Sequence, residues 1–215
     1  MKLSIGNSSL ELLPGHGVLL EDRTLVVSDV HLGKAAAFQA KGLAVPEGDT
    51  EADLTRLLNL SHEVQARRLI INGDLFHSPA GISPRLESLL QQWIEKLGIP
   101  VELVIGNHEE KFKRLPDGLN PARIIDCNGF HLVHDPADAP DGVPTICGHW
   151  HPVARIADGK RTSLRLPCFL LRHEMLVLPS FGTFTGGRIV EIQKNDRVFV
   201  APGAKITEVP EQLLR

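Results

Sequence analysis

Seven residues of this chain are candidate cation ligands, and they fall in five short motifs. Asp29 and His31 stand in SDVH at 28–31, and Asp74 in GDLFH at 73–77. Asn107 precedes His108 in GNHE at 106–109, His134 stands in VHDP at 133–136, and His149 and His151 in GHWH at 148–151. Carboxylate, amide and imidazole donors without thiolate suit Mn²⁺, Fe or Zn²⁺ better than a purely soft or purely oxygen set would. Alternate residues of an extended chain point the same way, so Asp29 with His31, and His149 with His151, can each reach one cleft. Taken singly, each motif reads equally as a cap, a loop entry or a turn. Five in order imply one shared site. Two cations roughly 3.5–4 Å apart can clamp a phosphate's oxygens during in-line displacement and acidify a water. A carboxylate has two oxygens and a negative charge to hold two cations together, which makes Asp74 the natural bridge. Neutral Asn107 limits the negative charge that an anionic substrate meets.

Each motif closes an apolar run. Leu25–Ser28 precedes Asp29, Leu69–Ile71 leads to Asp74, and Val101–Ile105 leads to Asn107 and His108. Between them, Asp49–Ala66 has helical spacing at Leu54, Leu57, Leu58 and Val64, with Asp49 or Thr50 as N-cap. Ser83 before Pro84 starts a second helix to about Leu97, which Gly98 and Pro100 stop. Strands alternating with helices predict a mainly parallel sheet, and ligands gather outside the carboxyl ends of such strands. Gly73, Gly106 and Gly148 each precede a candidate ligand and permit close backbone approach.

After about Ala122 the chain reads as β-rich. Short runs occur at Arg123–Ile125, Phe130–Val133, Thr145–Cys147, Leu164–Leu171, Met175–Leu178, Arg188–Ile192 and Val198–Val200. Asp135–Val143 is read as a surface loop between strands, so residues 1–215 are read as a single domain.

The chain is 42% apolar, which excludes wholesale disorder. Its formal charge of −3 excludes nucleic-acid binding by bulk charge alone. Tyr is absent and aromatics are few, so no base-stacking platform is advertised. Cys127, Cys147 and Cys168 lie far apart without a CxxC, as expected of a reduced, cytoplasmic protein. No run approaches the roughly 20 apolar residues that span a bilayer, and no signal-peptide core stands at the N-terminus, so no membrane partner is expected.

His108 could serve as a general acid or as a structural histidine beside the ligands. His77 stays open between orienting a ligand, touching substrate and simply packing. Trp150 is read as a wall of the site or as exposed. Lys111, Lys113 and Arg114 follow His108, and together with Lys34 and Lys41 they are candidates to meet a polyanion. A solvated helix face laced with Glu is the competing reading.

The ordered motifs at 28–31, 73–77, 106–109, 133–136 and 148–151 resemble those of the calcineurin-like metallophosphoesterases. Two further stretches, DVHLGKAAAFQAKGLAVP at 29–46 and LVLPSFGTFTGG at 176–187, resemble the bacterial ligase-associated phosphoesterases, DNA-damage-response endonucleases of the PdeM type. The resemblance implies an α/β fold, a four-layer α/β/β/α sandwich of two mixed sheets with no capping domain. It implies one divalent ion on Asp29, His31 and His151 and another on Asn107, His134 and His149, with Asp74 bridging and Mn²⁺ the leading identity. His108 would face the scissile phosphate. Glu109 stands where the family has Asp, and would orient His108 from one methylene further away. Asp135 replaces a Gly found in many relatives. The implied partners are DNA and repair proteins such as a ligase and a helicase or exonuclease. Three readings follow: a nucleic-acid phosphodiesterase, a phosphoesterase for a nucleotide or other small ester, and an inactive interaction module on the same fold.

Overall fold

Apolar side chains in the strands alternate between faces, and that alternation sorts the chain into layers. The computed structural model describes residues 1–46, 48–157 and 162–214. Its elements run β1 (Lys2–Ile5), β2 (Ser8–Leu13), β3 (Gly17–Leu20), β4 (Thr24–Val27), α1 (Lys34–Gln39), α2 (Asp49–Glu63), β5 (Arg68–Asn72), α3 (Pro84–Leu97), β6 (Val101–Val104) and β7 (Asn120–Ala122). They continue with β8 (Ile125–Cys127), β9 (Phe130–Leu132), β10 (Thr145–Cys147), β11 (Pro152–Ala157), β12 (Ser163–Arg172), β13 (Met175–Val177), β14 (Arg188–Ile189), β15 (Arg197–Val200) and β16 (Thr207–Glu208).

The first sheet follows chain order from β1 to β7, antiparallel as far as β4 and parallel from β4 to β7. The second has the order β14-β11-β12-β13-β10-β9-β8, with β15 and β16 added alongside β12. It too is mixed, since β10 runs parallel to β9 and β13 while β12 is antiparallel to β13. In β4, Leu25 and Val27 join a core with α2 and α3, whereas Val26 joins a second core between the sheets. In β12, Phe169 and Leu171 enter that second core, whereas Cys168 and Leu170 face a third on the far side. Each such buried side chain is worth roughly 1.5–3 kcal/mol of transfer free energy.

This is the two-sheet α/β fold that the resemblance implied. Its outermost layer is thinner than implied. Ala139, Trp150, Val209 and Leu214 cover the second sheet there, after a 3-10 turn at Pro136–Asp138, and no α-helix does so among the described residues. Trp150 belongs to this cover, with the Arg172 guanidinium 5.7 Å from its ring, and not to the wall of the site.

Several details depart from the sequence reading. The three antiparallel strands before residue 21 were not foreseen. The run at Arg123–Ile125 falls on the join between β7 and β8. α1 and β11 are further additions. α2 starts at Asp49 with Gly48 as N-cap, and the Thr50 hydroxyl instead accepts from the Gly33 N–H at 3.1 Å. Ser83 caps α3 as expected, accepting from Leu86 N at 3.2 Å, and Gly98 closes it in the left-handed region.

Candidate metal centre

β4, β5 and β6 are neighbouring parallel strands, so their carboxyl ends bring Asp29, Asp74 and Asn107 to one edge of the first sheet. β9 and β10 bring His134, His149 and His151 to the facing edge of the second. Asn72 ties the two edges together. Its side-chain amide donates to the Val133 and Ile146 carbonyls, both at 3.0 Å, and its own carbonyl accepts from Ser28 Oγ at 2.7 Å and His134 Nδ1 at 2.9 Å.

The chain turns sharply at three of the five motifs. Asp29, His31, Asp74, His149 and His151 all have positive φ, between 46° and 66°. Non-glycine residues seldom adopt this conformation, and each costs about 1–2 kcal/mol. Gly148 is required by close approach, because an added Cβ would stand 2.6 Å from Asp29 Oδ2 and closer still to Ser28 Oγ.

The candidate ligands supply two trios, Asp29 with His31 and His151, and Asp74 with His134 and His149, and His31 also groups with His77 and His108; in each group the candidate donor atoms lie within 4.8 Å of one another. Asp29 and Asp74 are buried at the floor, His31 and His134 are buried beside them, His149 and His151 are half-buried, and Asn107 is exposed at the rim. Asp74 Oδ2 lies 3.3 Å from His134 Nε2, 3.9 Å from His31 Nε2 and 3.8 Å from His108 Nε2. Asp29 Oδ1 accepts from His151 Nε2 at 2.9 Å, and Asn107 Oδ1 lies 3.0 Å from His149 Nδ1. Each trio could hold a divalent ion, and the donor set fits one. His134 Nε2 is buried without a hydrogen-bond partner, and His31 Nε2 faces His151 Nε2 at 3.4 Å. Buried carboxylates and imidazole nitrogens converge here at a cost that a cation would offset.

The electrostatics reflect this crowding. Burial holds His31 down to about 3 despite Asp74 and Asp29. Burial alone would raise Asp74, but the His134 imidazole 3.3 Å away, with the backbone N–H of His108, outweighs it and brings Asp74 to about 2. Burial would lower His134, but Asp74 and Asp29 carry it up to about 9.

His108 lies beside both trios, its ring 4.8 Å from that of His31 and its Nδ1 donating to the His77 carbonyl. The expectation that Glu109 orients His108 is corrected. Glu109 is buried, and its carboxylate accepts instead from the backbone N–H groups of Asp74 at 2.8 Å, Phe76 at 3.0 Å and Gly106 at 3.0 Å. A buried carboxylate needs donors, and these three strand-end amides supply them. Burial nonetheless pushes Glu109 up to about 7.

His77 lies within reach of the site, its ring 5.8 Å from His31 and 5.3 Å from His108. Burial brings His77 down to about 4, helped by the charge of Lys34 and then by those of His108, Lys41 and Lys111. Those three lysines therefore put positive charge on the His77 side of the site. Lys113 and Arg114 line a groove that Glu109 also lines, and the exposed Arg114 pairs with both carboxylate oxygens of Asp117 at 2.8 Å.

The family model for calcineurin-like phosphoesterases matches residues 22–176. The chain belongs to that family. It is accordingly a metal-dependent hydrolase of phosphate esters. Among solved structures it is similar to the nuclease MPE of Pseudomonas putida, with 29% identity and a TM-score of 0.80 over 97% of this chain and 99% of that one. YfcE, a phosphoesterase from E. coli, matches with 20% identity and a TM-score of 0.41 over 86% of this chain and 97% of that one. No curated protein matches the chain.

Sequence reasoning passed over Asn72, Ser28 and the role of 176–187. Asn72 carried a signal, being a polar residue that ends an apolar strand. The loop around 181–183 is pinned to the β4 end by Phe181 N on the Ser28 carbonyl at 2.8 Å and Gly182 N on the Asp29 carbonyl at 3.0 Å.

Proposed function

We propose that this protein is a two-metal phosphodiesterase acting on nucleic acid, with Asp29, His31 and His151 holding one ion, Asn107, His134 and His149 the other, and Asp74 bridging. The observation that carries it is the pair of trios meeting at two buried carboxylates, open to solvent through Asn107. Bound there, divalent ions would supply Lewis acidity toward a phosphate and acidify a water. Mn²⁺ leads, with Fe or Zn²⁺ as substitutes, because the donors mix oxygen and imidazole.

The chain's own groups do the rest. The His77 carbonyl fixes the His108 ring, and Nε2 is left facing the site. There it holds a proton for the departing oxygen. Glu109 is a positioning residue that locks the turn carrying Asp74 to that carrying Asn107. Lys34 and Lys111 meet the phosphates of a strand. The nuclease neighbour supports nucleic acid as substrate, a DNA-repair role follows the resemblance of residues 29–46 and 176–187, and the three free cysteines agree with the cytoplasm.

The test is a substrate panel with Mn²⁺: single-stranded DNA, duplex DNA, cyclic nucleotides and an aryl phosphodiester. Cleavage of DNA that a chelator abolishes, and that Asp74→Ala removes along with bound metal, is the expected result. Rapid hydrolysis of a nucleotide without DNA cleavage would shift the reading to a small-ester phosphoesterase, and an active metal-free protein would overturn it.

A further inference from the structure

Of the eight phenylalanines, Phe184 is the one that is exposed, at 42%. It stands in the loop that carries TFTGG. An exposed aromatic ring forgoes the burial that drives its neighbours inward, and here it does so at the outer end of a row of rings that starts at His108. Rings lead outward from the site to it. His108 and His77 lie 5.3 Å apart, His77 and Phe38 5.5 Å, and Phe38 and Phe184 6.1 Å, the last pair edge-on at 84°. The Lys34 ammonium sits 5.5 Å from the Phe184 ring centroid and donates to the Thr185 carbonyl at 3.4 Å.

Lys34 and Phe38 belong to α1, in the stretch 29–46, and Phe184 to the stretch 176–187. The two segments that the metal ligands leave largely unexplained therefore meet at one place. The loop that presents Phe184 is also held firmly. Thr183 donates through its N–H at 3.0 Å and its hydroxyl at 3.3 Å to buried Asp53, which also takes Arg56 at 3.0 Å.

We propose that Phe184, backed by Phe38 and Lys34, is a platform on which an unpaired nucleobase of the substrate stacks a few nucleotides from the scissile phosphate. This rests on the nucleic-acid reading above and adds a positioning residue to it. Every base has a π-face, so a single ring suffices without reading sequence, and a lysine beside the ring meets the neighbouring phosphate. Successive nucleotides of a stacked strand are about 3.4 Å apart, so rings spaced as these are place Phe184 within a few nucleotides of the cut. An aryl phosphodiester has no base to place there.

The test uses the Mn²⁺-loaded protein and a single-stranded oligodeoxynucleotide in which an abasic residue is moved through successive positions around the cut. Phe184→Ala should lower kcat/KM on the base-bearing strand roughly 5- to 100-fold, mainly through KM, and Phe184→Trp should retain it. At one position the abasic strand should lose as much with the unaltered protein and lose nothing more with Phe184→Ala. Losses that add at every position would mean the ring only supports its loop, and would overturn the platform, as would an Ala variant that cuts the base-bearing strand normally. If the unaltered protein cuts no strand at all, the nucleic-acid reading itself falls, and the platform with it.

Discussion

His108 and Glu109 are adjacent in sequence and do different work. The His108 ring is half-buried with Nε2 3.8 Å from Asp74, whereas the Glu109 carboxylate is turned inward onto three backbone N–H groups. His108→Ala should therefore leave bound metal near normal and lower turnover by roughly 10²–10⁴-fold, the scale of a lost proton donor. An aryl phosphodiester with a good leaving group should suffer less, because its departing oxygen needs no proton. Loss of metal, measured by elemental analysis, would instead make His108 a ligand. Glu109→Ala should behave differently. It leaves three buried donors unpaired, at about 1–3 kcal/mol each if none is rescued by water, so the expected signs are a lower melting temperature and weaker metal binding together. A Glu109→Ala variant that melts normally and keeps its metal would show that the strand-end turns do not depend on it. The sequence already showed which residue types cluster, but not this division. The direction a carboxylate takes depends on whether donors lie nearer along its own turn or across the cleft.

At the scale of elements, the site is a seam between two sheets, and Asn72 and Asp53 stitch it. Asn72 sends its amide across to β9 and β10, and Asp53 on α2 holds the 181–185 loop. Asn72→Asp turns a donor that satisfies two carbonyls into an acceptor that repels them. It should cost about 3 kcal/mol, since a buried carboxylate without donors is also penalised. For a chain of this length that is a fall in melting temperature of roughly 6–12 °C, read by calorimetry with metal chelated. An unchanged melt would show that the sheets are joined elsewhere. The parallel part of the first sheet was legible because β4 and β5 are almost wholly buried and carry continuous apolar runs, and β6 is broken only by Glu102. Ser83 and Gly98 marked α3 for the same kind of local reason. β1 and β2 were not legible, because their apolar residues are mixed with Ser, Glu and Lys, and β3 offers only three apolar residues after Gly17 with no motif at its end. Nor was α1, six residues that begin after Gly33 without a side-chain cap. The platform at Phe184 was hidden for a different reason. It unites residues about 150 positions apart in the chain, and counting aromatics argued against it, whereas one well-placed ring is enough.

The whole molecule carries a formal charge of −3, so any hold on a polyanion must come from a few local cations. No helix among the described residues is long and apolar enough to cross a membrane. The sequence offered Lys34, Lys41, Lys111, Lys113 and Arg114 as that group. The structure redistributes it, because Arg114 is engaged by Asp117, whereas Lys34, Lys41 and Lys111 are near enough to His77 to depress it. Each phosphate neutralised on a single strand contributes about −0.7 to the slope of log affinity against log salt. Three lysines therefore predict a slope of about −2 for kcat/KM on single-stranded DNA, and a slope near zero on an aryl phosphodiester at the same metal concentration. Replacing Lys34, Lys41 and Lys111 together by Ala should flatten the DNA slope toward zero and weaken cleavage most at low salt, where the lost attraction was largest. Replacing Lys113 and Arg114 should leave the slope nearly as it was. If the second pair flattens the slope and the first trio does not, the strand crosses the groove beside Asp117 and approaches the metals from the other side of His108. If neither does, the strand is held by stacking and by the metal centre alone, and electrostatic guidance plays no part in how this protein finds its substrate.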